Sequence, residues 1–111
     1  MSELKKDIIK FLKILADQTR LDLLDLLYHE KRTSSEIQSA LNKSQSTISQ
    51  HLKVLANKNL IIFERINNVK YYKIKNTEIF KLLVDIKSIV DGINKEKLQT
   101  MSNEDIIDTL L

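Results

Sequence analysis

The sequence predicts a mainly α-helical domain with one small β-hairpin, ordered helix, helix, helix, helix, hairpin, helix. Apolar residues recur at helical spacing over most of the chain. β-Branched and aromatic residues crowd together only between Leu60 and Ile74. The length, 111 residues, suits one domain.

Leu4, Ile8, Phe11, Leu12 and Leu15 fall on one face of a helix spanning roughly residues 3 to 16. Asp17 is placed to cap a second helix that carries Leu21, Leu24, Leu27 and Tyr28. Leu23 and Leu26 widen that stripe, so this helix is expected to be buried over most of its surface. Lys31 and Arg32 read as a turn. Thr33-Ser34-Ser35-Glu36 has the spacing of a capping box, and the short helix it opens offers Ile37 and Leu41 to a core. Asn42-Lys43 turns the chain. Ser44 is placed to cap a fourth helix with Ile48, Leu52 and Leu55 inward. Two short helices joined by a polar turn in this way suggest a helix-turn-helix. Leu60 to Phe63 and Val69 to Ile74 are strand candidates, and Asn67-Asn68 between them tolerates the positive φ of a tight hairpin turn. Asn76 or Thr77 opens a long helix through Ile79, Leu82, Leu83, Ile86, Ile89, Val90 and Ile93, which Gly92 is expected to end or bend. A separate short helix from Ser102 to Leu111 follows, with Ile106, Ile107, Leu110 and Leu111 on one side.

Composition removes whole classes of function. There is no Cys, hence no disulfide, thiolate metal site or thiol nucleophile. A single Gly cannot build a Gly-rich phosphate cradle. No nucleophile–base pair or carboxylate dyad stands at an interpretable spacing, so an enzyme is not expected. No apolar run approaches the ~20 residues that span a bilayer, and the N-terminus lacks the apolar stretch of a signal peptide, which makes an intracellular location the expectation.

The charge is unevenly spread. The chain has a formal net charge of +3. Between Lys43 and Lys75 stand seven basic residues and the single acid Glu64, a net +6, while the remainder sums to −3. A basic segment on a mildly acidic body is what a protein meeting a polyanion with one face needs. Within it lies Ser44-Gln45-Ser46-Thr47-Ile48-Ser49-Gln50-His51-Leu52-Lys53. With Ile48, Leu52 and Leu55 inward, Gln45, Ser46, Ser49, Gln50 and Lys53 point outward, and no acid accompanies them. Gln pairs bidentately with adenine, Ser and Thr reach base edges or phosphates, and Lys neutralises phosphate. The helix N-terminus adds free N–H groups and partial positive charge. Arg65, Asn67, Asn68, Lys70 and Lys73 put cations and amides on or beside the hairpin turn, suited to a phosphate backbone. Charged hairpins also guard sheet edges, so this second signal is weaker alone.

The run Leu15-Ala16-Asp17-Gln18-Thr19-Arg20-Leu21-Asp22-Leu23-Leu24, then Ser44 to Leu52 and Val69-Lys70-Tyr71-Tyr72, resembles the ArsR/SmtB family of winged helix-turn-helix repressors over about residues 5 to 92. The resemblance implies a homodimer built on the first and last helices, with each fourth helix in a major groove of a pseudo-palindromic operator. Candidate DNA-binding residues are then Ser35, Lys43, Ser44, Gln45, Ser46, Thr47, Ser49, Gln50, Lys53, Arg65, Asn67, Asn68 and Lys70. Candidate interface residues are Leu4, Ile8, Phe11, Leu12, Leu82, Ile86, Ile89 and Ile93. Residues 1–95 would form the DNA-binding and dimerisation domain, and 96–111 a C-terminal extension.

The family's metal chemistry does not carry over. Where many members have Cys-x-Cys, this chain has Thr33-Ser34-Ser35, and the last helix has no His. Soft metals need thiolates and borderline ones several imidazoles, whereas only His29 and His51 are present. No metal, cofactor or membrane partner is expected. His29 reads as an exposed helix-end residue, and His51 as a packing or hydrogen-bonding group. The first helix also carries Ile9 and Ile14 and the last Phe80 and Val84, more apolar surface than one stripe buries in so small a domain. The expected protein is a cytoplasmic, prokaryotic, dimeric regulator of transcription, a repressor, associated with the nucleoid when DNA-bound. The alternative is a winged helix that serves as a protein–protein module in a larger assembly.

Overall fold

A computed structural model describes residues 2–110, with side chains as far as residue 100. The elements in chain order are α1 (Glu3–Leu15), α2 (Gln18–His29), β1 (Arg32–Thr33), α3 (Ser34–Leu41), α4 (Gln45–Asn57), β2 (Ile61–Ile66), β3 (Val69–Ile74) and α5 (Glu78–Leu110). They divide into two compact units, residues 1–77 and 78–111.

In the first unit the core is aliphatic. Leu15, Leu23, Leu24, Leu27, Ile37, Ile48, Leu52, Leu55, Leu60 and Ile61 are buried. On α2 the buried side is narrower than expected, because Leu21 and Tyr28 are exposed. Both sit about a quarter-turn from the Leu23–Leu24–Leu27 stripe. One stripe suffices to cover α3, α4 and β3, the elements that α2 meets together with α1.

Side chains that bond their own backbone start the helices. Asp17 accepts from the Arg20 N–H at 3.0 Å, and Ser44 from the Thr47 N–H at 3.2 Å. At α3 the capping box is complete: Thr33 Oγ1 accepts from the Glu36 N–H at 3.2 Å, and Glu36 Oε1 accepts from the Thr33 N–H at 3.1 Å. The Thr33 backbone bond, then its side chain, hold the Glu36 carboxyl below the usual glutamate range. A depressed folded value means stability present above the unfolded pKa and lost as the pH falls through the folded one. Glu36→Ala is therefore expected to destabilise at neutral pH, with its deficit relative to wild type closing on acidification below the ordinary 4.5. Urea unfolding of both proteins at pH 7 and pH 3 checks this; a deficit that persists at pH 3 would contradict it.

Asn residues take the left-handed positions. Asn42, Asn59, Asn67 and Asn68 are the positive-φ non-Gly residues among those described; short amides tolerate this region better than other side chains. Asn59 closes α4 in a Schellman arrangement: its N–H donates to the Ala56 carbonyl at 3.0 Å, and the Leu60 N–H to the Leu55 carbonyl at 3.1 Å. Asn67 and Asn68, with φ of 52° and 65°, form the two-residue hairpin turn.

The sheet is three-stranded and antiparallel, in the order β1-β3-β2. Arg32 and Thr33, expected in a turn, instead pair with Tyr72 and Tyr71. A two-residue strand shows no alternation, and its partner lies some forty residues away, so local pattern does not reveal it.

The second unit is α5, one helix from Glu78 to Leu110. The break expected at Gly92 and the separate helix from Ser102 are both absent from its backbone course. Gly lowers helix stability by ~1 kcal/mol but keeps its N–H, and the chain has no Pro to remove a helical bond. The side chains of Ile106, Ile107, Leu110 and Leu111 lie outside those described. Among the described residues, no helix is long and apolar enough to cross a membrane.

Candidate nucleic-acid interface

α4 separates its chemistry by face. Ile48, Leu52 and Leu55 are buried, while Gln45, Ser46, Ser49, Gln50 and Lys53 are exposed. Thirteen residues make a helix of roughly 20 Å, narrow enough to lie in a major groove. Ser44 and Thr47 are partly committed elsewhere. The Ser44 hydroxyl donates to Thr47 Oγ1 at 3.0 Å as well as capping the helix, and Thr47 is half-buried. Lys43 is exposed in the turn before α4, and Ser35 is exposed in the first turn of α3.

The end of α4 is tied to the base of the hairpin. Leu60, buried directly after the helix, accepts the Lys75 N–H at 2.9 Å on its carbonyl. The wing therefore leaves from a closed base and reaches its tip at Asn67-Asn68.

Its cations divide by strand parity. Glu64 accepts from Lys73 Nζ at 2.9 Å and from Lys31 Nζ at 3.0 Å. These two ammonium groups, Lys73 first, hold the Glu64 carboxyl below its usual range. Lys73, read in the sequence with the other wing cations, is thus already paired with a carboxylate. Arg65 and Lys70 lie on the opposite face, where the register sets Arg65 against Lys70 and Phe63 against Tyr72. Lys70 Nζ stands 4.0 Å from the Phe63 ring centroid and 5.2 Å from that of Tyr72. The roles of Glu64, Phe63 and Tyr72 were not singled out from the sequence. A two-residue turn fixes the register, and strand alternation then assigns the faces, so the signal was there to use.

His51 accepts on Nδ1 from the Arg20 guanidinium at 3.1 Å. Arg can only donate, so the ring proton must sit on Nε2. This agrees with the hydrogen-bonding role read for His51. His29 is the exposed last residue of α2. Among the described residues, no group of three or more His, Cys, Asp or Glu side chains could hold a metal ion.

The interface residues expected from the sequence lie on two helices. On α1, Leu4, Ile8 and Leu12 are exposed in the single chain and Phe11 is half-buried. On α5, Leu82, Ile86, Ile89 and Ile93 are exposed.

Comparison with known proteins places this arrangement. Residues 17–62, from the α2 cap through α4 into β2, match the family described as bacterial regulatory protein, arsR family. The arsenical resistance operon repressor of Bacillus subtilis is 34% identical over 83 residues, covering 74% of this chain and 79% of the relative. The crystal structure of Rv0081 from M. tuberculosis superposes with a TM-score of 0.82 at 26% identity, over 88% of this chain and 99% of that one. The homodimeric winged helix-turn-helix DNA-binding domain of Mb0332 from Mycobacterium bovis, a possible ArsR-family transcriptional regulator, gives a TM-score of 0.70 at 25% identity, over 86% of this chain and 93% of that one. The chain belongs to the ArsR family of bacterial regulatory proteins, and is a winged helix-turn-helix, DNA-binding transcription regulator rather than an enzyme.

Proposed function

We propose that the protein is a homodimeric repressor that lays the outer face of α4 in the major groove and its wing along the backbone of a two-fold operator. The observation that carries the reading is the acid-free outer face of α4, with Gln45, Ser46, Ser49, Gln50 and Lys53 all exposed above a fully buried apolar stripe. Ser35, Lys43, Ser44 and Thr47 would assist at the phosphates around the helix N-terminus, and Arg65, Asn67, Asn68 and Lys70 at the wing. The resemblance to a named repressor supports the direction of control.

A homodimeric relative supports the C2 dimer, and so does surface chemistry. Leu4 on α1 is 70% exposed, and Ile89 on α5 63% exposed. Apolar surface of this kind gains ~25 cal/mol per Å² when covered. A two-fold dimer also matches half-sites about one DNA turn apart. The cytoplasm is the compartment in which this work is done. With no Cys in the sequence, release by a soft metal through thiolates is not part of the proposal.

Gln45→Ala and Gln50→Ala are expected to cost ~1–3 kcal/mol on the cognate site where the amide is bidentate, with little change on random duplex. Titration of each variant against the protein's own upstream region and a scrambled duplex, across a salt series, tests this together with the DNA-binding reading. An unchanged ratio of specific to random affinity would remove the base-reading role. Binding no tighter than millimolar at low salt would favour the protein-docking alternative, and a reporter that falls in the protein's absence would reverse repression to activation.

A further inference from the structure

Arg65 and Lys70 are directly opposed across the hairpin, one register pair from its turn. Like charges in that position repel and destabilise a hairpin, and among the described residues no ion pair joins either to a carboxylate: the wing acid Glu64 belongs to the other face and holds Lys31 and Lys73. What accompanies the two cations is an aromatic pair two register positions further from the turn, the next pair on the same face. Phe63 and Tyr72 stand with ring centroids 6.2 Å apart. Lys70 Nζ lies 4.0 Å from the Phe63 centroid, and the Arg65 guanidinium carbon 6.0 Å from it. Both are within reach of the ring's negative face. Phe63 is nevertheless 46% exposed, so its position is not explained by core burial alone. The Phe63 ring draws two mutually repelling cations to one side of the wing, with Tyr72 5.2 Å from Lys70 Nζ as a second ring.

We propose that Phe63 is a positioning residue for DNA binding, its ring gathering Lys70 and Arg65 into a paired-cation clasp that takes one backbone phosphate. This rests on the DNA-binding reading above. The phosphate relieves the repulsion that the free hairpin carries, so the two charges act as one contact selected by face. Lys73, held by Glu64 on the opposite side, takes no part.

The test combines NMR of the free protein with the salt dependence of binding to a random-sequence duplex, where each neutralised phosphate contributes ~0.9 to the slope of log K against log salt. In wild type the Lys70 ε-methylene protons are expected upfield of the other lysines, shifted by the ring current. Phe63→Leu removes no charge, yet is expected to reduce that shift to what the more distant Tyr72 ring gives and to flatten the slope by about half a unit or more per wing. Phe63→Tyr is expected to restore both. Lys70→Ala should flatten the slope by ~0.9 per wing, ~1.8 for a dimer that carries it on both, and Lys73→Ala should leave it unchanged. A wild-type slope in folded Phe63→Leu, or equal flattening by Lys73→Ala and Lys70→Ala, overturns the clasp while leaving DNA binding intact. Lys70 ε-protons at ordinary positions in wild type overturn it whatever the variants do. A wild-type protein without duplex affinity overturns the DNA-binding reading and the clasp with it.

Discussion

Leu55→Ala is expected to destabilise the protein by ~2–5 kcal/mol, the range for Leu removed from a packed core. Leu55 is 0% exposed on the inner stripe of α4, and its carbonyl accepts the Leu60 N–H that closes the helix. The alanine variant keeps that backbone bond, so the loss comes from transfer and cavity alone. A domain of this size has roughly 5–15 kcal/mol in all, so one truncation removes a large share. At ~4–8 °C per kcal/mol for small domains, the melting temperature should fall by more than about 8 °C. Lys53→Ala, two residues away on the exposed face, should stay within ~0.5 kcal/mol. The pair separates fold from function on one helix: Leu55→Ala loses stability first, Lys53→Ala loses DNA affinity with its melting unchanged. Thermal unfolding by circular dichroism at one fixed protein concentration checks both, since dimerisation makes the midpoint concentration-dependent. A Leu55→Ala loss below ~1 kcal/mol would mean that this side of α4 is not packed as described.

Local signals carried most of the first unit because its punctuation is chemical and short-range. Asp17, Thr33 and Ser44 announce helix starts through bonds to residues three positions on. A chain with one Gly and no Pro has few ways to turn sharply, and the Asn-containing runs at 42, 59 and 67–68 coincide with the positive-φ positions. The outward face of α4 follows from helical period once Ile48, Leu52 and Leu55 are taken inward. Non-local pairing is what stayed hidden. β1 exists only because Arg32 and Thr33 meet Tyr72 and Tyr71. The pairing of Lys73 depends on a carboxylate nine residues earlier on the facing strand, one that also holds Lys31 from another part of the chain. Net charge counted along the sequence treated Lys70 and Lys73 alike; strand parity and one Glu make them different. Gly92 misled in the other direction, since a breaker of modest strength yields to a long run of good helix formers.

Arg20→Ala is expected to cost ~2–3 kcal/mol and to alter DNA binding as well, because one side chain joins three helices. From the first turn of α2, its Nε donates to the Ile14 carbonyl at 2.6 Å and one terminal nitrogen to the Lys13 carbonyl at 3.4 Å. Those carbonyls belong to the last turn of α1, where helix geometry supplies no partner. The other terminal nitrogen donates to His51 on α4 at 3.1 Å. Asp17 stands beside the guanidinium at 3.9 Å, and its carboxyl is held below the usual aspartate range chiefly by the Arg20 backbone N–H. Arg20 thus satisfies carbonyls at the end of α1, donates its N–H to the N-cap of α2, and is the orienting donor for a ring on the helix proposed to read DNA. Removing it leaves acceptors in a half-buried corner, and an unsatisfied buried acceptor costs ~1–3 kcal/mol; partial rehydration keeps the total at the lower end of their sum. Arg20→Lys should recover only a fraction, since a single ammonium cannot span the fork of a guanidinium. His51→Ala cuts the α4 leg alone. In a double-mutant cycle on stability, the Arg20–His51 coupling should come to roughly 1 kcal/mol, and His51→Ala should weaken specific DNA more than random DNA. A coupling near zero would confine Arg20 to the α1–α2 corner and leave the orientation of α4 to its buried stripe alone.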